Sequence, residues 1–128
     1  MNQFITFKPA IEITDRHLVR LADKLDDCIG SEDSIAVIRR ITRWGGLEAI
    51  EILASLLDSP GPIGRAAESG LVKFGADALP VLFRVLDETI DADEEMHAES
   101  AVRRIERAER RAAGLPAVPV LRDFKTAA

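Results

Sequence analysis

The sequence predicts an all-α fold, a short stack of about three helical hairpins. Three observations carry this. First, one helical pattern is written twice, 29 residues apart: Ala49, Ile50, Leu53, Leu56, Leu57 and Asp58 match Ala78, Leu79, Leu82, Val85, Leu86 and Asp87. Second, the stretch after each copy also recurs, 31 residues apart: Ala67, Glu68, Ser69, Gly70, Leu71 and Phe74 match Ala98, Glu99, Ser100, Ala101, Val102 and Ile105. Two helical patterns per unit at this repeat length describe a helical solenoid. Third, 47 % of the 128 residues are hydrophobic but only 5 % are aromatic, with no tyrosine, so the core is aliphatic and suits closely approaching helices.

Residues 1–13 are apolar without helical spacing, and Pro9 interrupts them; they are expected to form an extended arm. Its Phe and Ile residues either cover the end of the first helices or dock a partner or a second copy. Thr14-Asp15 offers a side-chain oxygen to the free N–H groups of a helix start. Leu18, Leu21, Ala22, Leu25 and Cys28 then recur at three and four, and Gly30 is the candidate C-cap. Ser31 opens the next helix, where Glu32 and Asp33 suit the positive end of the dipole. Ile35, Ile38, Ile41 and Trp44 are its expected core face, with Trp44 aligned to Phe74, and Gly45-Gly46 ends it.

The first helix of each clear repeat carries its leucines on one stripe. Ser59-Pro60-Gly61-Pro62 is a turn in which proline fixes φ and stops one helix, while Pro62 fits the first turn of the next. Small residues at three-residue spacing, Ala67 and Gly70 with Ala98 and Ala101, are expected to let the two helices of a hairpin approach closely. Gly70 costs its helix about 1 kcal/mol against alanine, which implies a tight contact in return. The last helix runs to Gly114. Residues 114–128, with Pro116 and Pro119, are expected to form an extended tail.

The net charge of −5 and pI near 5.1 argue against nucleic-acid binding, which needs a basic footprint. One cysteine, Cys28, allows no intrachain disulfide and no cysteine-rich metal site, and reads as a small apolar residue. No stretch reaches the ~18 apolar residues of a membrane span. Met1–Lys8 lacks the charge, apolar run and cleavage site of a secretory leader, so the expected location is cytoplasmic.

The pattern from Gly46 to Asp58, with the run Arg65-Ala66-Ala67-x-x-Gly70-Leu71-x-x-Phe74-Gly75, resembles a HEAT repeat. It is similar in particular to the short HEAT-like repeats of E/F-type phycobilin lyase subunits and related bacterial proteins. The resemblance covers about residues 14–113, as hairpins 14–44, 46–74 and 77–113. It implies a right-handed α–α superhelix whose second helices line an inner face. Met96 stands where the third unit would carry the equivalent of Arg65. Nothing in the repeat is catalytic. No cofactor-binding residue carries over from the lyases, so a bilin-handling role with a second chain is only the alternative function.

Two histidines, His17 and His97, are not followed by Glu as in the iron-binding HEAT enzymes of the deoxyhypusine hydroxylase type. His97 with Glu94 or Glu99 is a weak metal candidate. Phosphate-binding loops and nucleophile–base spacings are not evident. No enzyme activity and no cofactor is therefore expected.

Charge placement is more informative. Lys73 aligns with Arg104 and with Arg43, and Val72 with Arg103; Arg39, Arg40 and Arg107 extend the same side. The expected partner-binding residues are Arg39, Arg43, Lys73, Arg103, Arg104 and Arg107, facing another protein with an acidic patch. Acidic residues gather instead at turns and helix ends, Asp23 to Asp33 and Asp87 to Glu95. The alternative is a solvated face in which Glu99–Arg103 and Glu106–Arg110 are solubilising i,i+4 pairs, worth ~0.2–0.5 kcal/mol each. The expected role is a non-catalytic protein-interaction module: an adaptor, assembly chaperone or regulatory subunit. A homodimer through the arm, the tail or an exposed end of the stack is a further possibility, with no membrane or nucleic-acid partner.

Overall fold

A computed structural model describes residues 11–29 and 31–114. The expected arm at 1–13 falls outside them up to residue 10, Gly30 also falls outside, and the tail does so from residue 115. The regular structure is all helical, with no strand among the described residues: α1 (Arg16–Cys28), α2 (Glu32–Trp44), α3 (Leu47–Ala54), α4 (Gly61–Phe74), a 3-10 turn (Gly75–Ala78), α5 (Leu79–Glu88) and α6 (Ala92–Ala112).

Local chemistry sets most of the ends. Asp15 caps α1, its carboxylate accepting from the His17 and Leu18 amides. Ser31 and Asp91 do the same for α2 and α6. Gly45 and Gly46 have φ of 85° and 93°, a backbone region that side-chain-bearing residues rarely enter. That pair turns the chain from α2 into α3. Pro62 and Pro80 sit in the first turns of α4 and α5, where a missing N–H leaves no broken bond.

Consecutive helices pack in pairs: α1 on α2, α3 on α4, α5 on α6. Between pairs, α2 packs on α4 and α4 on α6, while α1 meets α3 and α3 meets α5. Like helices therefore stack on like. The aliphatic residues of every helix bury together, including Leu18, Leu25, Ile38, Ile41, Leu53, Leu57, Leu71, Leu82 and Ile105. Removing such area from water is the main favourable term, at about 25 cal/mol per Å².

The α2–α4 contact is close because Gly70 lies in it. A Cβ there would stand 2.6 Å from Thr42 Oγ1 and 3.1 Å from Leu53 Cδ1. The nearest neighbour of Gly70 is thus a side chain of α2, in the preceding helix pair.

Trp44 departs from expectation. It is 51 % exposed rather than core, and the inner face of α2 is Ser34, Val37, Ile38 and Ile41. At the end of α2, the Trp44 side chain meets the start of α1. The Trp44 indole N–H donates to Asp15 at 3.0 Å, and its ring lies 4.0 Å from the His17 ring, tilted. Phe74 ends the equivalent turn of α4 and is half-buried against the core.

Candidate interaction surface

A groove of about 560 Å³ runs along the α2–α4 seam. Its floor is Ile35, Ile38, Thr42, Ala66, Ser69 and Gly70, and its walls carry Arg39 and Arg43 from α2 with Arg65 and Lys73 from α4. Helical spacing places them: 39 and 43 are four apart, and 65, 69 and 73 form one stripe. Among the described residues, no carboxylate lines the groove. None of the four cations has an ion-pair partner among the described residues. Like charges at four-residue spacing oppose helix formation by a few tenths of a kcal/mol. Four positive groups without an ion-pair partner among the described residues share one depression in a chain whose net charge is −5.

The other expected residues fall differently. Arg103 and Arg107 are exposed on α6 and do not line the groove. Arg104 is committed to structure: its guanidinium donates to Glu68 at 2.8 Å. Arg65, read from the sequence only as a repeat position, belongs to the groove in its place.

Glu68 and Glu51 are buried acids, and no local sequence pattern marks them for burial. Glu68 is 7 % exposed and accepts from His97 Nδ1 at 2.8 Å, Ser100 Oγ at 2.6 Å and Arg104. Burial by itself raises the pKa of this carboxyl, but the three hydrogen bonds outweigh burial and hold it below the ordinary value. A carboxylate only accepts, so His97 carries a proton on Nδ1. Glu51 is 3 % exposed and is gripped by both terminal nitrogens of Arg84, at 2.8 and 2.6 Å. That fork raises the Arg84 pKa further, against the opposing effect of its own partial burial. Each pair joins neighbouring helix pairs, α3 to α5 and α4 to α6.

The repeat contained a partial signal. Glu68 and Glu99 occupy equivalent positions, yet Glu99 is exposed. Glu68 faces α6, whereas α6 has no later helix beside it among the described residues.

His97 is turned to Glu68 on α4 and not to Glu94 or Glu99. No group of three or more potential metal-binding side chains occurs among the described residues. Nor is any described helix long and apolar enough to cross a membrane.

No family model, curated protein or solved structure matches this chain.

Proposed function

We propose that this protein is a non-catalytic interaction module of the HEAT-like kind, a short superhelical stack that captures an acidic protein partner on the face formed by its second helices. The observation that supports this most is the α2–α4 groove, with four cations that have no ion-pair partner, and no lining carboxylate, among the described residues. An anionic partner relieves the repulsion among these groups, and the surrounding negative charge directs it to this one place. The stacking of like helices on like and the written repeat support the superhelical reading.

Dye-labelled polyglutamate serves as the probe, followed by fluorescence anisotropy at low salt. Arg39→Glu with Lys73→Glu is expected to weaken binding by at least about tenfold, or ~1.4 kcal/mol. Both side chains are exposed, so the melting temperature should hold. Arg103→Glu, outside the groove, should bind nearly as the parent does. Undiminished binding by the doubly reversed protein would remove this assignment.

A further inference from the structure

The basic groove does not stop at Ile35. Ile35 also lines a second cavity of about 520 Å³, at the N-terminal ends of α2 and α4. That cavity is walled by Ile29, Ile35, Pro60, Pro62 and Ile63. Among the described residues, the sole charged one in its lining is an acid, Glu32. Both helices run from this apolar end towards the basic one, because both cavities draw on the same two helices in the same order. The seam is therefore a single trough with two chemistries. One end is apolar and carries a negative charge; the rest is basic and carries none.

Resting on the reading of this face as an acidic-partner surface, we propose that the trough recognises a short linear segment of a partner protein with an apolar anchor at one end and a run of carboxylates after it. The carboxylates lie among Arg39, Arg43, Arg65 and Lys73. The anchor lies against Ile35, Pro62 and Ile63, where Glu32 repels the acidic end and so fixes which way the segment lies. The 13 residues of α2 span about 20 Å at 1.5 Å each. An extended chain covers that length in about six residues at ~3.3 Å each. For such a ligand the charges supply placement and the first affinity, and burial of the anchor adds to it.

The experiment compares three dye-labelled hexapeptides on the full chain at low salt: two leucines then four glutamates, four glutamates then two leucines, and two alanines then four glutamates. One leucine peptide is expected to bind about tenfold tighter than the alanine peptide, from the added apolar burial. Pro62→Glu places a carboxylate at the apolar end, at an exposed first-turn position that tolerates glutamate. It should abolish the leucine preference and leave the alanine peptide nearly unaffected. If all three peptides bind equally, the trough has no apolar subsite and this inference falls, while the acidic-partner reading stands. If none of them binds and polyglutamate does not bind either, the acidic-partner reading itself falls. Equal competition by duplex DNA against the leucine peptide would show charge alone at work and overturns the proposal.

Discussion

At the scale of single residues, the buried carboxylates decide most. Glu51 is almost wholly enclosed, and the hydrogen bonds to its carboxylate oxygens come from Arg84. Removing one partner of such a pair leaves a desolvated charge, which costs far more than the pair contributes. Arg84→Ala is therefore expected to destabilise by about 3–5 kcal/mol, measured by urea unfolding. Arg84→Lys keeps the charge but loses the two-pronged geometry, so it should fall between the parent and the alanine variant. Equal stability of Arg84→Ala and the parent would mean that Glu51 finds water instead. Trp44 teaches the opposite lesson. An indole that would have to bury its N–H at the end of a stack stays half outside, paired to Asp15. That hydrogen bond is the first reason the Asp15 carboxyl lies below its usual range.

At the scale of elements, the distance between α2 and α4 is set by what is missing at Gly70. Alanine has the better helix propensity by about 1 kcal/mol. Its methyl group would nevertheless meet Thr42 Oγ1 at 2.6 Å. Overpacking of this kind typically costs about 1–3 kcal/mol, so Gly70→Ala should destabilise on balance, by roughly 1 kcal/mol or more. Thr42→Ala removes the nearest obstructing atom. The double variant should recover much of the loss in a double-mutant cycle, leaving only the contact with Leu53. Additive losses would show that the helices had already shifted apart. The same seam forms the trough, so this cycle also reports how firmly the two walls of the interaction surface are held.

At the scale of the whole molecule, acid stability follows from the carboxyls that accept hydrogen bonds. The Glu68 pKa in the folded chain lies below the ordinary 4.5. Between the lowered value and 4.5, the unfolded chain binds a proton that the folded chain does not, so stability rises with pH across that window. The contribution is fully present above the ordinary value and is lost as pH falls through the folded one. Asp15 and Glu48 act in the same sense; Glu48 accepts first from the Asp15 amide, and then from the Thr14 hydroxyl and amide. Glu68→Gln should be less stable at neutral pH and show a shallower acid limb in urea unfolding against pH. An acid limb as steep as the parent's would assign the effect to other carboxyls.

Much of the helical pattern was legible in advance. Periodic leucines, Asp15 and Ser31 as caps, and prolines in first turns are local signals, and local hydrogen bonding obeys them. Gly70 announced a close approach, expected within its own hairpin; Leu53 of α3 is one neighbour, but the nearest is Thr42 of α2 in the preceding pair. Positions 39 and 43 were legible as one side of α2 from helical spacing, and 73 from its alignment with Arg43 in the repeat. Arg65 was missed as a groove residue because it was taken only as part of the repeat. Arg104 is 43 % exposed, yet nothing in its own helix betrays its bond to Glu68, which comes from α4 and lies 36 positions earlier.

The sequence by itself determined that the chain is helical, where most helices begin and end, and which stripe of each is apolar, since these depend on neighbours within a few positions. Only the tertiary structure decided which charges are enclosed and which are free. That choice depends on whether another helix stands opposite: α6 opposite Glu68, α5 opposite Glu51, and, among the described residues, only open groove opposite Arg39, Arg65 and Lys73. Desolvation and pairing are properties of two surfaces together, and no single helix encodes them.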